Sequence, residues 1–399
     1  MKKALSGLIS FLIAVLILFL AVRTFSLNVF SHNAYDSYTR QALAWKNGTL
    51  YLDEDPRTVA YLELAEYDGR LYVSFPPVPT LVELITTTFW GAETPNQAIL
   101  YLYAIFSAVA LTLLFARRCP PATAICYGLL FSFGGNFLPI IAFGGVWHEA
   151  QGLAFLLCSL AVWLCDGEKP WQQALGLFLS ALAVGCRPFT ALFIPFLLWH
   201  IFQKKSGRTG ERVAAMVPYL VAPALVAVGL MVLNFVRFGN VFEFGHNYLP
   251  EFQREENGQF SFVYLAGNLK QAFSLPKMSF ENGKLAFQFD MFTGTAFYLV
   301  NIGISVFLYY VLRTLLKPGQ TTYNLLFLGV FVLFVMLTCM HRTLGGCQFG
   351  ARYFMDALPY LAFFVAQKKE AKAGVGSWTL AVFGVGLNFL GAGMIAQMF

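Results

Sequence analysis

The sequence is poor in charge. Only 12% of its 399 residues are Asp, Glu, Lys or Arg, against about a quarter in soluble domains. With 58% of residues hydrophobic, a water-soluble fold of this length could not cover its own apolar surface. The class that remains is an all-α polytopic membrane protein. The seven cysteines, Cys119, Cys126, Cys158, Cys165, Cys186, Cys339 and Cys347, show no CxxC or metal-like spacing. They read as buried free thiols rather than as a redox or zinc device. A P-loop, a dinucleotide-binding glycine motif and a GxSxG elbow are all missing, so a nucleotide-driven or hydride-transfer mechanism has no support. No internal repeat is visible, which weakens an inverted-repeat transporter.

What the chain does have is aromatic and apolar. Its 42 Phe, 18 Tyr and 7 Trp suit lipid-facing and interfacial positions. Apolar windows predict eleven spans, near 5–27, 96–116, 121–142, 147–165, 171–186, 189–203, 212–236, 293–315, 322–341, 353–367 and 376–398. The first follows "MKK" and has no clean small-x-small cleavage site, so it reads as an uncleaved helix. Threaded from a cytoplasmic N-terminus, the inside connections carry Lys2 and Lys3, Arg117 and Arg118, Lys169, the cluster Lys204 to Arg212, Arg313 and Lys317, and Lys368, Lys369 and Lys372. This agrees with the positive-inside rule. It also explains the net charge of +6 without a nucleic-acid partner.

Two segments, 28–95 and 237–292, then form sizeable loops on the outer side of a single integral membrane domain, 1–399. Each is too long for a simple turn. In the first, "DSYTRQALAWKNG" places Tyr35, Tyr38, Ala42 and Trp45 at roughly helical spacing, predicting an amphipathic interfacial helix. "AYLELAEYDGRLYVSF" alternates around Asp68-Gly69, predicting a β-hairpin.

Four arginines, Arg187, Arg237, Arg342 and Arg352, fall at the outer ends of predicted spans, beside Gly or Pro breaks. Any one of them alone has an ordinary role, snorkelling to lipid phosphate or pairing with a carboxylate. Together they point to a shared anionic ligand, because guanidinium holds phosphate through forked, charge-assisted bonds. Asp36 lies a few residues beyond the first span. Its ordinary role is a dipole partner or an (i, i+4) mate of Arg40. Facing a cationic pocket, its carboxylate could instead take a proton from an incoming hydroxyl. His148 and Glu149 open the fourth span and could touch the ligand, as could Glu243 and His246 after the seventh. Asp53, Glu54 and Asp55 read as a solvated turn and Asp290 as a cap. His32, His200 and His341 are isolated, so no metal site can be argued and no cofactor is implied.

The segments "AYDSYTRQALAWKNGTLYLD", "YDGRLYVSFPPVPTLVEL", "CRPFTALFIP", "NFVRFGNVFEFGHNY" and "GGCQFGARYFMDALPYL" resemble, in that order, segments of bacterial membrane glycosyltransferases of GT-C architecture, the relatives of protein mannosyltransferases and aminoarabinose transferases. The resemblance covers most of the chain, through short motifs. It implies a multi-pass protein of a bacterial cytoplasmic (inner) membrane with an extracytoplasmic active site. It also implies a polyprenyl-phosphate-linked sugar as donor and an acceptor hydroxyl on a glycan, lipid or protein. By position, Asp36 looks like the first-loop acid and general base, and Tyr35 and Arg40 are its neighbours. Arg352, in "FGARYF", looks like a phosphate-side cation, and Arg187 and Arg237 are carried over after it. The chain departs from the pattern next to the acid, where a second acid is often found and this sequence has Tyr35 or Ser37. Two rivals remain: a polymerase or ligase of lipid-linked glycans, and a transporter or flippase. A flippase would need polar pairs at mid-span, for which Arg23 and Asn136 are the nearest candidates.

Overall fold

A computed structural model describes residues 2–281 and 284–398; residues 282 and 283, inside the second expected outer loop, lie outside the described residues. The N-terminal half runs α1 (Lys2–Phe25), α2 (Ser37–Lys46), β1 (Leu64–Tyr67), β2 (Arg70–Val73), α3 (Val78–Trp90), α4 (Asn96–Phe115), α5 (Pro121–Ser132), α6 (Phe137–Phe143), α7 (Val146–Cys165), α8 (Pro170–Val184) and α9 (Ile194–Gln203). It continues with α10 (Thr209–Ala214), α11 (Val217–Phe238), α12 (Pro250–Gln253), α13 (Phe262–Phe273), β3 (Lys277–Glu281), β4 (Lys284–Gln288), α14 (Phe297–Val300), α15 (Ile302–Thr314), α16 (Thr321–Met340), α17 (Leu358–Ala366) and α18 (Val375–Ala396).

By length and composition six helical segments among the described residues can cross a bilayer: α1, α4, α7, α16, α18 and the run Thr209–Phe238. A seventh is possible if α5 and α6, bent by 49° at their junction, form one broken span. The sequence predicted eleven. The difference lies in segments that Pro and Gly cut short. The predicted 171–186 span is α8, which stops before Gly185 and Pro188. The predicted 353–367 span shrinks to the nine residues of α17, after a loop with positive φ at Gly345, Gly346 and Gly350. Proline without an N–H and glycine in the left-handed region both end regular helix.

The chain divides into two compact units. One comprises residues 1–27, 103–143 and 260–399. There α1 packs on α5, α18 on α5 and α6, and α13 on α16. Ser10 Oγ donates to Ala108 O at 3.4 Å and accepts from Thr112 Oγ1 at 2.9 Å, joining α1 to α4. Gly128 faces the same turn of α4, and a Cβ there would sit 2.0 Å from Thr112 Oγ1 and 2.8 Å from its Cα. That backbone atom cannot rotate away. Gly128→Leu is therefore expected to cost about 1–3 kcal/mol by overpacking, read as a lowered unfolding temperature of the purified protein in detergent.

The other unit comprises residues 28–102 and 144–259. Here α7 packs on α8, α8 on α11 and α2 on α3. The hairpin β1–β2 turns at Asp68 and Gly69, which both have positive φ, the combination a tight two-residue hairpin turn needs. Its Leu64, Leu71 and Val73 join Tyr38 of α2 and Val146 and Ala150 of α7 in one apolar cluster. The opposite face, Ala65 and Tyr72, packs on Phe238 at the end of α11. Period-2 alternation thus lets one short hairpin bury both of its faces.

Candidate functional site

Asp36 stands at the N-terminal end of α2 and is 3% exposed. Its side chain does not cap the helix. Instead Oδ1 accepts from Arg40 Nε at 2.6 Å and Oδ2 lies 3.3 Å from His32 Nε2. Arg40 also bonds Glu54 at 2.5 Å. The (i, i+4) pairing weighed from the sequence is present, but it is buried rather than solvated. Burial raises the Asp36 carboxyl above the ordinary aspartate range, against the hydrogen bond and charge of Arg40 and the charge of His32. The result is a stronger base than a free aspartate that still has a cation to stabilise its ionised form.

Tyr38, two residues on, is fully buried, and its hydroxyl donates to Pro76 O at 3.2 Å. Burial pushes this phenol well above its ordinary value, so it is a neutral hydrogen-bonding group. The charges of Arg187 and Arg237 both reach it. Arg237 ends α11 and is 2% exposed. Its Nη1 donates to Val73 O at 3.3 Å and its Nη2 to Asn234 Oδ1 at 3.2 Å, while Nε makes no hydrogen bond among the described residues. A buried guanidinium whose hydrogen bonds go only to neutral oxygens carries an unmet demand for an anion. Arg187 follows α8 and is half-buried.

The remaining sequence candidates separate by role. Tyr35 stacks edge-on against Tyr61 and tilts on Trp147, and its carbonyl accepts from Val146 N at 3.0 Å. Glu243 accepts from Gly245 N at 2.6 Å and Asn247 Nδ2 at 2.8 Å, so it shapes its own loop. His246 Nδ1 lies 3.3 Å from Ser74 O; burial brings this imidazole down to about 4, keeping it neutral. His148 and Glu149 are buried in the first turn of α7. Asp290 caps the turn at Phe292 and Thr293, as a capping acid should.

Arg342 and Arg352 belong to the first unit, residues 1–27, 103–143 and 260–399. Arg352 is buried, with Nη2 donating to Gly345 O at 2.5 Å and its backbone N to Gln348 Oε1 at 2.9 Å. The glycines of this loop leave the guanidinium room, since a Cβ at Gly345 would lie 3.3 Å from Arg352 Nε. Arg342 is half-buried. Among the described residues, no three His, Cys, Asp or Glu side chains gather as a metal site would require.

Two participants were not recognised as such from the sequence: His32, which stood as an isolated histidine, and Glu83. His32 sits four residues before Asp36, as Arg40 sits four after, and that symmetric spacing was its only signal. Glu83 is a lone acid in the apolar stretch "TLVELITTT"; such an acid is costly and asks for an explanation. An apolar cavity of 350 Å³ opens in the same unit as Asp36, lined by Trp45, Leu50, Leu81, Leu182, Gly229 and Leu230 among others.

Comparison with solved structures decides the architecture. The structure superposes on the crystal structure of ArnT from Cupriavidus metallidurans bound to undecaprenyl phosphate, with a TM-score of 0.53 at 11% identity over 94% of this chain and 62% of that one. It superposes on the apo oligosaccharyltransferase of Archaeoglobus fulgidus with a TM-score of 0.52 at 11% identity over 98% of this chain and 56% of that one. The chain has the GT-C fold. It spans less than two thirds of either neighbour's length. No protein-family model matches the chain, and no curated protein matches it in sequence. At this identity the likeness rests on the arrangement of helices rather than on shared side chains.

Proposed function

We propose that the chain is a glycosyltransferase that moves a sugar from a polyprenyl-phosphate donor to an acceptor hydroxyl. The observation that carries the reading is the grouping, in one unit, of a buried basic aspartate and a buried, anion-seeking arginine. Asp36 takes the proton of the acceptor hydroxyl. The acceptor oxygen bonds to the sugar C1 as the bond from C1 to the phosphate oxygen breaks, through an oxocarbenium-like state and with inversion. The leaving group is the lipid phosphate monoester, whose new charge is met by Arg237 and Arg187. Tyr35 and Arg40 flank the acid. The likeness to ArnT, crystallised with undecaprenyl phosphate, supports the lipid class. The site faces the extracytoplasmic side of a bacterial inner membrane, and the N-terminus is cytoplasmic.

The apolar cavity beside Trp45 seats the first isoprene units of the donor. A Cβ at Gly229 would meet nothing within 4 Å, so the first atom of a Gly229→Phe side chain is accommodated and its ring can extend into the cavity. Its expected effect is an apparent affinity for undecaprenyl phosphate weakened by about tenfold, the worth of some 1.4 kcal/mol of lost apolar contact. Binding of a short-chain prenyl phosphate should change little. Equal weakening for both chain lengths would remove the cavity from the donor site.

A further inference from the structure

Away from the groups just used, the most unusual feature of the Asp36-bearing unit is a pair of buried acids. Glu83 of α3 and Glu149 of α7 are 0% and 1% exposed where α3 packs on α7, and each carboxyl group lies within reach of the other. Two buried carboxylates side by side would repel, so one of them keeps its proton and can donate an O–H to the other. The surrounding donors decide which. Glu83 Oε2 accepts from Thr39 Oγ1 at 3.1 Å and Thr86 Oγ1 at 3.0 Å, and its Oε1 accepts from Asn96 Nδ2 at 3.3 Å. Asn96 Nδ2 also donates to Thr39 Oγ1 at 3.1 Å. Each of these donors treats Glu83 as an acceptor. The other oxygen of Glu149, Oε1, is buried and has no hydrogen bond among the described residues, a position tolerable for a neutral acid and costly for an anion.

Thr39 is the third residue of α2 and lies three positions after Asp36. The same helix is tied to α3 again by Thr80 Oγ1 donating to Gln41 Oε1 at 2.5 Å. We propose that Glu83 and Glu149 share one proton, and that the Glu83 carboxylate so formed grips Thr39 and fixes the α2 terminus that carries Asp36. Glu83 and Glu149 are thus positioning residues for the transfer; the inference rests on Asp36 being the base. The titratable groups facing the pair are Asp36 and Tyr38 from the α2 segment and Cys186 from the end of α8. His148 stands beside Glu149 on the same turn, while His200 of α9 is 3.1 Å from Asp166, beyond the far end of α7.

The test uses the full-length protein in liposomes, the polyprenyl-phosphate-sugar fraction of a bacterial envelope as donor, and deuterium exchange of the α2 amides. Thr39→Val removes the grip without touching either acid. It should lower kcat about tenfold, the loss of one hydrogen bond to a charged group, leave the donor KM in place, and speed exchange across residues 37–46. Glu83→Gln should do the same. Glu149→Gln keeps a donor toward Glu83 but cannot ionise. Its kcat should stay level into the alkaline range, where the wild type falls as the shared proton is lost and two like charges meet. Unchanged exchange in Thr39→Val and Glu83→Gln would overturn the inference, whatever happens to activity. So would an alkaline decline in Glu149→Gln identical to that of the wild type. Faster α2 exchange combined with an active Asp36→Asn would keep the grip and reject Asp36 as the base.

Discussion

Asp36→Asn is expected to lower kcat by about 10²–10⁴-fold, the usual worth of a positioned general base, with little change in the donor KM. The amide is nearly isosteric and can keep its place beside Arg40 and His32, so folding is not at stake. The pH dependence has a definite sign. Asp36 must be ionised to accept a proton, and burial raises its carboxyl above the ordinary range. Activity should therefore fall as pH drops through a midpoint higher than that of a free aspartate near 4. Arg40 opposes this shift, so Arg40→Met should move the midpoint further upward. Initial rates from pH 4 to pH 9 check both statements. An acid limb that ignores Arg40 would separate Asp36 from the titration.

Arg237→Gln carries the second large effect. The guanidinium hydrogen bonds only neutral oxygens and lies over the Phe238 ring, 4.9 Å from its centroid. In the free protein its charge is met only at a distance, by Glu243. A bound phosphate would supply the missing partner. Loss of a charge-assisted, forked bond of about 1.5–3 kcal/mol corresponds to about a 10–100-fold weaker affinity for undecaprenyl phosphate. Arg237→Lys keeps the charge but not the fork and should fall between the two. The uncharged undecaprenol should bind all three proteins alike. That contrast, measured by competition against a fluorescent polyprenyl phosphate, separates a phosphate contact from general loosening of α11.

Local features were legible in the sequence. The hairpin followed from alternation around Asp68-Gly69, and α2 from the spacing of Tyr35, Tyr38, Ala42 and Trp45. The long spans α1, α4, α7, α16 and α18 stand where continuous apolar runs placed them. The span count was less legible, because a hydropathy window averages over Gly185-Cys186-Arg187-Pro188 and over the glycines before Arg352. Those breaks stop helices whose flanks are still apolar. The Glu83–Glu149 pair was out of reach. It joins α3 to α7 through contacts 66 positions apart, and no local periodicity encodes such a meeting. Glu149 was visible as an acid opening a span, but its partner was hidden in a stretch that reads only as apolar. The division into two units interleaves segments from both ends of the chain, and a single sequence carries no signal for that.

The most direct test of the account is a balance of products. Full-length protein in liposomes is supplied with a polyprenyl-phosphate-sugar fraction and a mixture of envelope acceptors, and the lipids are read by mass spectrometry. The account predicts that polyprenyl monophosphate appears in step with one new glycosidic bond, and that Asp36→Asn abolishes both. Donor that crosses the bilayer intact, or release that persists at the wild-type rate in Asp36→Asn, would contradict it.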